Sequence, residues 1–215
     1  MARAVYLDVD NTLLDNDAAK RALEDGIAAL VPAERARRFW ELYEIVRCDE
    51  DYVDFPATLA RFRAEFPHES CSDEVAQLIE DFPYRDYVYP GAFDAIAEVW
   101  RVATPVILSD GDSVFQPRKI ARAGLEDAVR GNVLVFVHKE QHLDELARRF
   151  PGSRPAFVDD KAPILGRIKR RLGDAATTIH VHQGKYAAAR VDRGDPAPDV
   201  EIDAIAGLGA VVARL

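Results

Sequence analysis

The sequence predicts an α/β fold: a parallel sheet covered by helices on both faces, with an all-helical segment inserted near its start. Three observations carry this. Short apolar runs at Val5, Thr104, Val133, Ala156 and Thr177 alternate with stretches of three- and four-residue periodicity, as in strands buried on both faces and joined by helices. From about Asp17 to Phe82 the periodicity is helical and no convincing strand occurs. Four of the apolar runs end in a polar or charged residue: Asp8, Ser109, Lys139, and Asp159 with Asp160. Open α/β sheets place ligands outside the carboxyl ends of their strands, so residues dispersed in sequence are expected to converge there.

The first run, Val5-Tyr6-Leu7, enters Asp8-Val9-Asp10-Asn11-Thr12-Leu13-Leu14. Side chains two apart on an extended segment share a direction, so Asp8 and Asp10 are expected to face one space. Two adjacent carboxylates repel unless a cation or a shared proton offsets the repulsion. A catalytic, metal-binding edge and a polar capping turn are both compatible with this stretch alone.

About four helices should follow. Ala18, Ala19, Ala22, Leu23, Ile27 and Leu30 form one apolar stripe, and Pro32 suits the first turn of a second helix carrying Phe39, Trp40, Leu42, Tyr43 and Val46. Asp54-Phe55-Pro56 opens a third, and Ser72-Asp73-Glu74 caps a fourth. Arg47 through Asp54 is unusually acidic and reads as a solvated loop between helices, with selection of a cationic or sugar-like leaving group as the alternative. Arg47 and Arg85 are possible substrate contacts.

The pattern then returns to α/β. Tyr89-Pro90-Gly91 is a turn before a helix around Phe93–Trp100, and Thr104–Leu108 is a buried strand. Gly124 is a helix C-cap. Asp112 and Gln116 should orient the helix after Ser109-Asp110-Gly111. Val133–Val137, Ala156–Val158 and Thr177–Val181 are strands, Leu143–Phe150 and Ile164–Leu172 helices, and Ile202 to Leu215 a closing helix. His138 should point away from Lys139's side, and His180 and His182, alternating on one strand, form no complete ligand set and are read as structural.

With 215 residues and a 48% hydrophobic content, the chain can bury one sizeable domain or a core with a modest insertion. Its net charge of -9 disfavours nucleic acid and anionic membranes as partners. Cys48 and Cys71 have no paired spacing and read as reduced thiols. No leader and no apolar run long enough to span a bilayer is evident, so a cytoplasmic protein, monomer or homodimer, is expected.

Taken together, these residues resemble the haloacid dehalogenase-like (HAD) hydrolase superfamily, specifically its phosphatases with a helical cap. Asp8-Val9-Asp10-Asn11-Thr12-Leu13 is similar to the nucleophile loop, Leu108-Ser109-Asp110-Gly111 to the second motif, Lys139 to the third motif's lysine, and Val158-Asp159-Asp160 to the fourth motif's acidic pair. The likeness covers residues 1–15 and about 89–215, leaving 16–88 as the cap. It implies a Rossmann-like core, Mg²⁺, an aspartyl-phosphate intermediate and a small phosphorylated metabolite as substrate. Asp8 would be the nucleophile and Asp10 the general acid/base. Ser109 and Lys139 would hold the phosphoryl group, with Asn11, Thr12, Asp110 and Gly111 beside them. The metal would be ligated by Asp8, the Asp10 carbonyl and Asp160, with Asp159 ligating or acting through water. Lys161 is the rival for Lys139's place. The superfamily's dehalogenases lack the second acid, so Asp10 favours phosphate esters. A phosphotransferase or mutase, and an idle phosphate-binding module, are the alternatives.

Overall fold

The computed structural model describes residues 3–50, 52–68, 70–152 and 154–215, the side chain of Glu50 excepted. Six strands form one parallel sheet in the order β3-β2-β1-β4-β5-β6: β1 (Ala4–Leu7), β2 (Thr104–Asp110), β3 (Val133–Phe136), β4 (Ala156–Asp159), β5 (Thr177–Val181) and β6 (Val200–Ile202). This is the Rossmann-like order, and its direction reverses at β1, which lies between β2 and β4. Alternation along the strands explains why both faces are covered. Val5, Leu7 and Ile107 enter a core on one face, whereas Ala4, Tyr6, Val106 and Leu108 enter a second core on the other.

Between β1 and β2 the chain forms α1 (Asn16–Leu30), α2 (Ala33–Glu50), α3 (Phe55–Glu65), α4 (Ser72–Glu80) and α5 (Ala92–Val102). Asp15 caps α1 by accepting the Ala18 N–H at 2.8 Å, and Asp54 caps α3 through Ala57 N–H at 2.7 Å. The first four helices enclose an aromatic cluster that includes Phe39, Trp40, Tyr43, Phe55 and Phe62. The chain leaves and re-enters the sheet layer side by side. Asp15 N–H donates to Tyr87 O at 2.8 Å and Tyr89 N–H to Leu13 O at 2.9 Å, tying the two crossings into a short antiparallel ribbon.

After β2 come α6 (Phe115–Arg122) and α7 (Leu125–Ala128), then α8 (Leu143–Arg149) after β3 and α9 (Ala162–Leu172) after β4; α10 (Leu208–Val212) ends the described secondary structure. Gly124, at φ 74°, follows α6 in the left-handed conformation that suits glycine past a helix end. The insert is continuous with the sheet's core: Phe55 meets Phe115 of α6 at 4.8 Å between ring centroids, and Tyr84 meets the same ring at 6.3 Å.

Several sequence expectations are corrected. Residues 202–215 are not one helix, because Val200–Ile202 pairs with β5 as a sixth strand and only Leu208–Val212 is α-helical. Three residues at a sheet edge carry too little periodicity to be read as a strand. Arg47, Cys48 and Asp49 belong to the last turns of α2 rather than to a loop, and Asp51 lies outside the described residues. Ser72 begins α4 instead of capping it; Cys71 is the cap residue and makes no side-chain cap bond. Among the described residues no helix is long and apolar enough to cross a membrane.

Candidate active site

The site is built at the carboxyl ends of β1, β2 and β4, where the strand order reverses. The ladder sets it up. Leu7 pairs with Val158, and Asp8 N–H continues the register by donating to Val158 O at 2.9 Å, so Asp8 and Asp159 emerge side by side. Both are buried, as are Asp160, Ser109 and Lys139. Carboxylate oxygens of Asp8, Asp159 and Asp160 all lie within 4.8 Å of one another.

Lys139 answers this acidic cluster. Its Nζ lies 2.5 Å from Asp8 Oδ1 and 2.7 Å from Asp159 Oδ2, and it donates to Leu108 O at 3.2 Å. Burial opposes the lysine's charge, yet Asp159 and Asp8 hold it protonated well above the ordinary lysine range. Lys139 and the more distant Lys161 do not balance three acids. Burial pushes the Asp8 carboxyl up to about 7, Lys139 pulls it back and Asp159 repels it further. Burial, then repulsion from Asp159 and Asp8, pushes Asp160 up to about 9. Asp8 Oδ2 and both Asp160 oxygens are buried with no hydrogen-bond partner. Asp159, by contrast, is fully engaged, since Oδ1 accepts the Lys161 N–H at 2.8 Å.

Asp10 sits at the mouth and faces a different set of groups. Lys119, a buried residue of α6, donates to Asp10 Oδ1 and also to Asn16 Oδ1 at 2.6 Å. Gln116, one turn earlier on the same helix, donates to Ser109 Oγ at 2.8 Å and reaches Asp10 Oδ2 at 3.5 Å. The helix is set by Asp112, whose Oδ1 accepts the N–H groups of Val114 and Phe115 at 2.7 and 2.5 Å. Asp112 thus orients α6 as expected, whereas Gln116 does more than that and enters the site. Lys119 was missed by sequence reasoning. Its signal is a lysine on the buried face that also carries Phe115, Gln116 and Ile120.

The remaining positions separate into two groups. Asp110 Oδ1 accepts the Lys139 N–H at 2.8 Å, so its carboxylate fixes the loop that presents the lysine. Thr12 is buried with an unpartnered Oγ1, and Asn11, at φ 62°, accepts the Asp17 N–H at 3.2 Å. Gly184 packs so tightly on Asn11 that a Cβ there would lie 2.4 Å from the asparagine's Cβ. Lys161 does not take Lys139's place: it lies 5.5 Å from the Tyr186 ring centroid and lines the opening.

A cavity of about 290 Å³ leads from Asp10, Asn11, Asp110 and Gly111 toward the insert, where Lys20, Tyr43, Glu44 and Arg47 line it; Lys185 and Tyr186 line it from beyond β5. Arg47 is therefore at the opening, with its Nε 2.8 Å from Glu44. Arg85 is not, because it stacks at 5.0 Å from the Phe93 ring and lines no part of this cavity.

No family model matches the chain, and no curated protein does. Solved structures do. A haloacid dehalogenase-like hydrolase from Burkholderia xenovorans LB400 is 38% identical, with a TM-score of 0.89, over 100% of this chain and 98% of the other. An L-2-haloacid dehalogenase from Xanthobacter autotrophicus with chloropropionic acid covalently bound is 20% identical at a TM-score of 0.63, over 100% of both chains. A HAD-hydrolase from Bacillus subtilis bound to magnesium is 15% identical at 0.63, over 98% of both. The last two likenesses are of fold alone.

Proposed function

The chain belongs to the haloacid dehalogenase-like hydrolases, and we propose that it hydrolyses a small phosphomonoester through a covalent intermediate on Asp8. The observation that carries this reading is Asp10. A second acid stands two residues after the buried carboxylate, at the cavity mouth, held by Lys119 and Gln116. Displacing halide from carbon needs no proton for the leaving group, whereas displacing an alkoxide from phosphorus does.

The donor set fits Mg²⁺. Hard carboxylate oxygens converge within 4.8 Å, and those of Asp8 Oδ2 and Asp160 lack any partner. Asp8, Asp160 and the Asp10 carbonyl would hold the ion, with Asp159 kept back by Lys139 and the Lys161 N–H. Bound there, it supplies the positive charge that keeps Asp8 ionised near neutrality and offsets the charge of the incoming phosphate.

The chain's own residues account for the rest. Lys139 and Ser109 flank Asp8 and neutralise the phosphoryl oxygens, one by charge and one by hydrogen bonding. An Asp8 oxygen attacks phosphorus as the bond from phosphorus to the ester oxygen breaks, and Asp10 gives that oxygen its proton. Water then attacks phosphorus, Asp10 takes up the water's proton, and the Asp8–phosphorus bond breaks to release inorganic phosphate. Dividing the hydrolysis in this way replaces one difficult displacement by two easier ones. The cavity volume of about 290 Å³ accommodates a compact leaving group, and its Lys20, Arg47 and Glu44 lining favours a polar one.

The test is a phosphomonoester panel, with 2-chloropropionate included, assayed in Mg²⁺ and in chelator. Phosphate release that requires the metal is expected, with no halide release. Asp8→Asn should abolish it, by about 10⁴-fold or more. Halide release with no phosphatase activity would replace this reading by dehalogenation.

A further inference from the structure

On the far side of β4 from Lys139, a second group of ligating side chains is assembled that the hydrolysis does not use. His180 lies on β5, His182 follows two residues later, and Glu201 on β6 is the cross-strand partner of His180. Strand alternation therefore puts all three on one face of the sheet edge. One ligating atom from each lies within 4.8 Å of the others. They border a cavity of about 660 Å³ whose wall also includes Ala162, Ala187, Arg190 and Pro198.

The hydrogen bonds fix the ring tautomers. His180 Nε2 is 2.9 Å from Asp160 O, and His182 Nδ1 is 2.9 Å from Ala187 O. A carbonyl oxygen only accepts, so each of these nitrogens carries the proton. In neutral rings the lone pairs are then left on His180 Nδ1 and His182 Nε2. The latter lies 3.3 Å from Glu201 Oε2, so an acceptor meets a carboxylate with no donor between them. A metal ion resolves that arrangement. Imidazoles that donate their second nitrogen to backbone carbonyls are the support that metal-bound histidines ordinarily have.

We propose that His180, His182 and Glu201 form a binding site for a borderline divalent transition ion of the zinc class, separate from the Asp8 centre. Two imidazole nitrogens and one carboxylate suit Zn²⁺ rather than Mg²⁺, which prefers oxygen alone. Three protein ligands beside an open cavity leave a coordination position for water or a small anion. The site adjoins the catalytic centre through His180, which pairs with Asp159 in the β4–β5 register and donates its ring N–H to the Asp160 carbonyl.

The test is Zn²⁺ retention by the full chain during dialysis in excess Mg²⁺, with Co²⁺ as a spectroscopic probe of imidazole ligation. A single retained equivalent and a visible Co²⁺ band are expected, unchanged in Asp8→Asn. Both should weaken by about 100-fold or more in Glu201→Gln and in His182→Ala. Glu201 is solvent-exposed, so its amide variant is expected to keep the thermal midpoint of the parent. The proposal is overturned if no Zn²⁺ is retained, or if the retained ion survives Glu201→Gln and disappears in Asp8→Asn. It is equally overturned if nitrogen NMR in excess Zn²⁺ shows both His182 nitrogens protonated, because the pair is then an ordinary imidazolium–carboxylate bridge.

Discussion

Each of the two acids of the first loop has its own buried lysine, and the two pairs are built differently. Asp8 meets Lys139 in a closed space, with side-chain exposures of 5% and 2%. Asp10 meets Lys119 at the mouth, where the lysine is 5% exposed but the acid is 29%. The closed pair is surrounded by further carboxylates, so an added cation or a retained proton would complete its charge balance. The open pair comes from a loop and a helix, with Gln116 and Asn16 as neutral companions. Water and a substrate can reach it. A nucleophile needs a fixed, dry setting, whereas a group that both gives and takes a proton needs access to the leaving oxygen and to water. The two surroundings divide along that line.

The sharpest way to break the comparison is at the open acid. Asp10→Asn should reduce kcat/KM, which reports the first step and not the attack of water that all esters share, by about 10²–10⁴-fold with an alkyl phosphate, and by much less with an aryl phosphate whose leaving group needs no proton. Equal losses of kcat/KM on both esters would remove proton donation to the leaving group from Asp10.

The lysines themselves come next. Lys139→Met leaves Asp8 and Asp159 facing each other without the lysine that contacts both, with only the more distant Lys161 near them, and should lower stability by about 3–5 kcal/mol in chemical denaturation. Lys119→Met exposes only a half-open acid and should lower it by about 1–2 kcal/mol. Equal losses would mean that the closed and open settings do not differ electrostatically.

A smaller effect follows from the raised acids. Asp8 and Asp160 move from 3.8 up to about 7 and about 9 on folding, so the folded chain binds more protons than the unfolded chain between these values. Metal-free protein should therefore lose stability as pH rises from about 4 to 9. Added Mg²⁺ should raise the thermal midpoint more at pH 9 than at pH 5, which calorimetry at the two values checks. The smallest effect is assigned to a cation outside both pairs. Arg85→Ala should change kcat and KM by less than about twofold, since the guanidinium stacks on Phe93 away from the cavity.

The site was legible to different depths. Asp8, Ser109, Lys139, Asp159 and Asp160 each end an apolar run, and a parallel sheet must bring such ends to one edge, so local pattern was enough to place them together. Lys119 lies within a helix, where a polar residue reads first as solvent-facing, and Gln116 was expected only to orient that helix. Their part became visible only when α6 was seen packed with that face against Asp10. Tyr186 and Lys185 line the cavity from a segment with no periodicity of its own. The sixth strand was hidden because three residues are too few to alternate, and its existence depends on the edge that β5 offers.

By itself the sequence determined the first five strands, the run of helices between the first two, and which residues stand at the strand ends. These follow from hydrophobic spacing, which is a property of neighbouring residues along the chain. Only the tertiary structure decided that Asp159 is tied up by Lys139 and the Lys161 N–H while Asp160 keeps both oxygens free, that Lys119 serves Asp10, and that Arg85 serves neither acid. Those are contacts between residues far apart in the chain, and their geometry is fixed by how sheet, helix and insert pack against one another.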